Sequence, residues 1–140
     1  GIDAYHNAFT LTAPIRNIHT VSQNTSVGYG STYITSKNCQ IATLGIGYAD
    51  GIPSSLSNQG HVMIQNTKCA IVGSICMDMI MVEIPSELSI SANDTATILS
   101  NGTDKALTIF DMATLSGLNP REIMTHFSDR IHRTISTLSF

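Results

Sequence analysis

The hydrophobic period of this chain changes after Thr108, and the patterned segments before that point read as short strands. In a strand successive side chains point to opposite faces, so alternation of apolar and polar residues marks a half-buried segment. Residues 8–21 set Phe9, Leu11, Ala13 and Ile15 against Thr10, Thr12 and Arg16. Residues 39–47 hold the dense run Ile41-Ala42-Thr43-Leu44-Gly45-Ile46, which suits a buried strand. Residues 61–65 and 68–75 flank Asn66-Thr67, the expected turn of a short hairpin. Residues 79–84 end at Pro85, and residues 94–99 end at the turn pair Asn101-Gly102.

After Thr108 the spacing becomes helical. Ile109, Met112, Ala113 and Leu115 line one side, and Gly117 is a natural stop. A second helix is expected from Asn119-Pro120-Arg121-Glu122: Asn caps, Pro fits the first helical position, and Glu122 resembles a capping box. Its apolar side is expected to be Ile123, Met124 and Phe127. Residues 130–137 alternate again, as a closing strand. The fold class predicted is mainly β: a small closed or partly open barrel, with two short helices near the C-terminus.

Size and charge narrow the function. A chain of 140 residues makes one domain with a real core. Charged residues are only 12% of it, below the roughly 25% of ordinary domains. Its surface must be rich in Ser, Thr and Asn, or be covered in part by something else. A net charge of −3 without a Lys/Arg cluster argues against nucleic acid as partner. No apolar run approaches the roughly 20 residues of a membrane helix. Cys39, Cys69 and Cys76 lack paired spacing and read as free cytoplasmic thiols. A start at Gly1 rather than Met is what a fragment or trimmed chain would show.

The most unusual stretch is Val27-Gly28-Tyr29-Gly30-Ser31-Thr32-Tyr33. Glycines on both sides give Tyr29 backbone freedom and no neighbouring side chain to cover it. A phenol presented so is either offered to a ligand or packed on a sheet edge. Gly45-Ile46-Gly47-Tyr48-Ala49-Asp50-Gly51 resembles a dinucleotide loop only superficially. Its third glycine is replaced by Asp50, and Ile52-Pro53-Ser54-Ser55 is a poor helix start for a phosphate cradle. There Asp50 is expected to close a turn with its own side chain. The scattered histidines (His6, His19, His61, His126, His132) show no zinc-ligand spacing, so no metal site is expected. Cys76-Met77-Asp78, after Ala70-Ile71-Val72-Gly73-Ser74-Ile75, would by itself be a buried strand with a gap-filling Met.

Three segments taken together are far more specific. They are Ser26-Val27-Gly28-Tyr29-Gly30-Ser31-Thr32-Tyr33, then Gly45-Ile46-Gly47-Tyr48-Ala49-Asp50-Gly51, then Ile71-Val72-Gly73-Ser74-Ile75-Cys76-Met77-Asp78. Their order and spacing resemble the C-terminal β-domain of bacterial alanine racemases, over nearly the whole chain from about Phe9 to Arg133. Members of that family are two-domain enzymes. An N-terminal (β/α)₈ barrel binds pyridoxal 5'-phosphate on a lysine, and the β-domain completes the site of the other subunit in a head-to-tail homodimer. By this resemblance residues 9–140 are the C-terminal domain, and residues 1–8 are the end of a linker from the barrel. Lys37 and Lys68 fall in expected turns, and neither matches the family's cofactor lysine.

The resemblance implies a role for each motif. Racemisation removes a proton from one face of the α-carbon and returns one to the other, so an acid/base group is needed on each face. The barrel lysine serves one face and Tyr29, flanked by Gly28 and Gly30, the other. A free tyrosine, with a pKa of about 10, is a poor base at neutral pH and needs a nearby positive charge, which the family draws from the barrel. Met77 aligns with a position whose backbone N–H holds the substrate carboxylate, with Cys76 before it and Asp78 after it supporting the loop. Tyr48 aligns with a tyrosine at the narrow mouth of the site. Arg121 falls where many members place a tyrosine on the cofactor phosphate. It either binds phosphate as a charged fork or faces solvent. The chain departs from the family at Ser54 and Ser74, where arginines are common, so its outer entrance is expected to be less basic. The implied activity is interconversion of L- and D-alanine in the cytoplasm for peptidoglycan, with the chain inactive alone. Two alternatives stay open: a non-catalytic β-barrel interaction module, and a related racemase for serine or another small amino acid.

Overall fold

The structure, a computed structural model, describes residues 9–134. Its frame is a six-stranded sheet in the order β6-β5-β8-β1-β4-β7. These strands are β1 (Leu11–Val21), β4 (Cys39–Leu44), β5 (His61–Ile64), β6 (Thr67–Ala70), β7 (Ile80–Ile84) and β8 (Thr95–Leu99). All their pairings are antiparallel. Just past β6, Ile71 bridges to Val82 on β7, so the two edges of the sheet meet and it curls into a nearly closed barrel. Closure removes the open edges that would otherwise invite another strand.

The first strand follows its alternation: Leu11, Ala13 and Ile15 are buried and the residues between them exposed. The register on β4 slips between Ile15 and Asn17, leaving Arg16 as a bulge. Before the bulge β1 pairs with β8, and from Ile15 onward it pairs with β4. Such a bulge lets one long strand bend from one side of a barrel to the other. The core inside is aliphatic, with Ala42, Leu44, Val62, Ile64, Ile80, Val82 and Leu99 among its fully buried members.

Two helices pack against that core. The first, α1 (Ile109–Ser116), buries Ile109, Met112 and Ala113 and stops at Gly117. Its start is a true capping box: Asp111 N–H donates to Thr108 Oγ1 at 3.1 Å, and Thr108 N–H donates to Asp111 Oδ2 at 2.9 Å. The second, α2 (Pro120–His126), is capped by Asn119, whose Oδ1 accepts from Arg121 N–H at 2.9 Å. No reciprocal bond from Glu122 accompanies that cap among the described residues. Ile123 is buried as expected, whereas Met124 is half exposed and points away from the core.

Three further expectations are corrected. The hairpin turn is Gln65-Asn66, one residue earlier than expected: both have positive φ, 50° and 61°, and Ile64 pairs with Thr67. That is the geometry whose twist suits a two-residue hairpin. Lys68 consequently lies within β6 rather than in a turn. Residues 130–134 form no strand. Arg130 is drawn to Asp50, and the Arg133 guanidinium donates to Phe127 O, Ser128 O and Ile131 O at 3.4 Å, so the segment curls on itself. Residues 1–8 and the remainder of the expected closing strand lie outside the described residues.

Candidate functional site

A small hairpin carries Tyr29. Its strands, β2 (Ser26–Val27) and β3 (Tyr33–Ile34), are too short to stand alone. They are held by a second, separate apolar cluster of Val27, Cys39, Ile41 and Val72, with Val21, Tyr33 and Met81 packed around it. On this side Tyr33 Oη donates to Glu83 Oε2 at 2.7 Å. That bond to a carboxylate, with burial adding to it, raises the Tyr33 phenol to about 12. Burial also pushes up the Cys39 thiol beside it, and it raises Cys69, inside the barrel, to about 11. All three cysteines are free.

At the tip of the hairpin the chain makes the tight turn Tyr29–Ser31, with positive φ at Gly28 (83°), Gly30 (79°) and Ser31 (53°). The result is a phenol that is 84% exposed. Among the described residues its hydroxyl has no hydrogen-bond partner and no cation contacts it. Of the two readings left open by the sequence, the packed edge is therefore excluded.

The hairpin lies directly against the loop that leads to Met77. Gly28 and Gly73 meet backbone to backbone: a Cβ on Gly73 would stand 2.8 Å from Val27 O, and one on Gly28 3.4 Å from Ser74 N. Gly73, with φ 77°, was not singled out by the sequence reading. The available signal was an isolated glycine in an apolar run, which marks a close backbone approach. Thr32 Oγ1 and Ser74 Oγ share a hydrogen bond at 3.2 Å across the same junction.

Met77 is fixed from its other side by the turn Tyr48–Asp50. Tyr48 N–H donates to Cys76 O at 2.9 Å and Ala49 N–H to Met77 O at 2.8 Å. Cys76 N–H closes the loop on Met79 O at 3.0 Å. The Met77 N–H itself has no acceptor among the described residues, and the residue is 55% exposed. The Asp78 carboxylate is exposed and makes no hydrogen bond there, so backbone bonds organise this loop. Asp50 is structural as expected: its Oδ2 accepts from Gly47 N–H at 2.9 Å, and its Oδ1 lies 3.3 Å from Arg130 Nε.

Tyr48 stands half exposed at the edge of a shallow groove that Ser54, Ser55, Leu118 and His126 also line. Ser54 thus lies at that groove and Ser74 at the Tyr29 junction, the two positions where the chain departs from the expected arginines. The structure therefore joins Tyr29, Met77 and Tyr48 through backbone and hydroxyl contacts. Arg121 is not joined to them. It sits near the start of α2, exposed, while the other end of that helix packs by His126 against Gly51. Its guanidinium has no partner among the described residues. Among these residues no three His, Cys, Asp or Glu side chains cluster as metal ligands, and no helix is long and apolar enough to cross a membrane.

Known proteins share this fold. The family model described as alanine racemase, C-terminal domain, matches residues 8–135. The alanine racemase of Cutibacterium acnes is 38% identical over 128 residues, which cover 91% of this chain and 34% of that protein. That of Lawsonia intracellularis is 41% identical over 79% of this chain and 30% of its own length. Among solved structures, the alanine racemase of D-cycloserine-producing Streptomyces lavendulae superposes with a TM-score of 0.88 at 30% identity, over 96% of this chain and 35% of that one. The Bartonella henselae alanine racemase, solved with covalently bound pyridoxal phosphate, does so at 0.82 and 28% identity, over 89% of this chain and 34% of that one. The chain thus spans about a third of the length of these relatives. Sequence match over nearly every residue and superposition of the whole barrel agree with the motif order, and the chain belongs to the alanine racemase C-terminal domain family.

Proposed function

We propose that this chain is the β-domain of an alanine racemase interconverting L- and D-alanine for peptidoglycan synthesis in the cytoplasm. In this reading it works with an N-terminal pyridoxal-phosphate barrel of the same protein and completes the partner subunit's site in a homodimer. One observation carries the reading: within a domain of this family, Tyr29 and Met77 are exposed, the phenol of the one and the N–H of the other have no partner among the described residues, and their loops are bonded to each other.

The residues present fit one side of a pyridoxal-phosphate site. Lys37, Lys68 and Lys105 do not suit the covalent role, since all are exposed and no described contact links them to Tyr29 or Met77. The Arg121 guanidinium is this chain's candidate for a phosphate contact. Pyridoxal phosphate, when bound, spreads the negative charge left on the α-carbon. Tyr29 takes or returns a proton at Oη on one face, and its charge partner comes from outside this domain. Met77 N–H donates to the substrate carboxylate, a contact for which the side chain is secondary. Tyr48 narrows the mouth of the site.

A mixing experiment tests this. Full-length subunits carrying Tyr29→Phe are co-assembled with subunits lacking the barrel lysine. Each parent is expected to be inactive, and the mixed dimer to regain racemisation, because one of its sites combines an intact lysine with the partner's intact tyrosine. No recovery in mixed dimers would exclude donation across the interface, and an active Tyr29→Phe parent would exclude the acid/base role.

A further inference from the structure

We propose that Asn58 is a positioning residue that holds the Tyr29 loop in register with the Met77 loop; the inference rests on the roles proposed above for those two residues. Asn58 lies in the loop before β5 and touches both. Its Oδ1 accepts from Gly73 N–H at 2.7 Å. Its Nδ2 donates to Thr32 Oγ1 at 3.1 Å and, more loosely, to Thr32 O at 3.4 Å. Chemistry leaves no choice in this orientation. A backbone N–H only donates, so the amide oxygen must face Gly73 and the amide nitrogen must face Thr32.

The residue type is required by the backbone as well. Asn58 adopts φ 59°, where asparagine is one of the few side chains that sit readily. One small amide thus satisfies a left-handed turn and cross-links two loops 41 positions apart in sequence, Thr32 and Gly73.

The two loops depend on this clasp unequally. The Met77 loop has other anchors: Ile75 N–H donates to Ser57 Oγ at 2.8 Å, and the turn Tyr48–Asp50 binds Cys76 O and Met77 O. The Tyr29 loop is anchored at Tyr33 by Glu83, but near its tip its cross-loop hydrogen bonds run through Thr32, to Asn58 and to Ser74. Loss of Asn58 therefore lets the phenol shift while the Met77 N–H stays in place. Substrate would still bind by its carboxylate, and proton transfer at Oη would slow. Both directions pass through the transfer at Oη and slow together, but only in one of them does that transfer break the α C–H bond of the substrate, so the isotope effect should be directional.

The test uses the full-length enzyme. Asn58→Gly keeps the left-handed backbone and removes the side-chain bonds to both loops. It is expected to lower kcat about 10-fold, because small misplacements of a reacting group are costly, with KM changed by no more than about twofold. The α-deuterium isotope effect should rise with one alanine enantiomer and not with the other. Thr32→Val spares the Gly73 bond but loses the Oγ1 bonds to both Asn58 and Ser74. It should move the same isotope effect the same way, and with Ser74→Ala as the control for the Ser74 bond it serves if Asn58→Gly does not fold. Isotope effects unchanged in the folded variants, or raised equally for both enantiomers, overturn the proposal. Tyr29→Phe separates the two readings. If it abolishes activity while the other variants leave the isotope effects alone, only the clasp fails. If it remains fully active, the role of Tyr29 fails and the clasp with it.

Discussion

Strand β4 and the loop of residues 72–79 are held by different physics. In β4, Ile41, Ala42 and Leu44 are fully buried, and the strand is paired on one side with β1 and on the other with β7. The loop borrows its order instead. Its backbone is bonded to Tyr48, Ala49, Ser57 and Asn58, while Met77 and Met79 stay exposed. The barrel is stabilised mainly by apolar area removed from water. Val72 and Ile75 tuck the loop into the apolar clusters, but its exposed part around Met77 is fixed mainly by directional hydrogen bonds, which hold geometry without covering it. A surface that must receive a ligand or a partner needs the second kind of order.

The sharpest test of this division is Tyr29→Phe in the full-length enzyme. Racemisation should fall by about 10²- to 10⁴-fold, the usual worth of a positioned acid/base group. The melting temperature should hardly move, since the hydroxyl bonds nothing among the described residues; a large drop in melting temperature would blur the division. Leu44→Ala is the converse. It should cost about 2–5 kcal/mol of stability by denaturant titration, as buried leucines do, with near-normal kcat at temperatures where the enzyme stays folded.

Met77 probes whether the loop works by backbone or by side chain. Met77→Leu should be mild, and Met77→Pro should raise KM severely, since proline alone removes the N–H. Equal activity of the two would assign the contact elsewhere. Tyr33→Phe addresses the anchor of the hairpin and should cost about 1 kcal/mol at neutral pH. The folded phenol titrates at about 12, above the usual 10.0. Its contribution is therefore fully present below about pH 10 and lost as pH rises toward about 12. Stability of the wild type should decline more steeply than that of Tyr33→Phe across this window. The smallest effect expected is weak, concentration-dependent association of the 140-residue chain, driven by exposed Tyr29, Tyr48, Met77 and Met79. Sedimentation velocity over a range of concentrations would detect it, and a strictly monomeric species would count against that face as an interface.

How far the chain was legible can be judged from individual residues. The six strands of the main sheet, the stop of α1 at Gly117 and the cap of α2 at Asn119 follow from local spacing, although β4 ends at Leu44 and β6 at Ala70, short of the expected 47 and 75, and the short strands β2 and β3 were not expected. Alternation in residues 130–134 misled: Arg130 pairs with Asp50, Arg133 binds nearby backbone carbonyls, and no strand among the described residues pairs with the segment. Met124 misled for a related reason. Seven residues of α2 offer the core one narrow stripe, which Ile123 already fills.

The site divides in the same way. Sequence alone identified the family and the candidates Tyr29, Tyr48 and Met77, because glycine spacing and motif order are written in one dimension. It also determined that the Tyr29 turn needs glycine, since positive φ is a property of the single residue. Tertiary structure alone decided that Gly28 abuts Gly73, that Asn58 binds both loops, and that barrel closure through Ile71 and Val82 brings those loops onto one face. These contacts join positions distant in sequence, and nothing in the local pattern of either partner names the other. The sequence marked Tyr29 as a phenol either offered or packed, and the tertiary structure decided both its exposure and the frame that aims it.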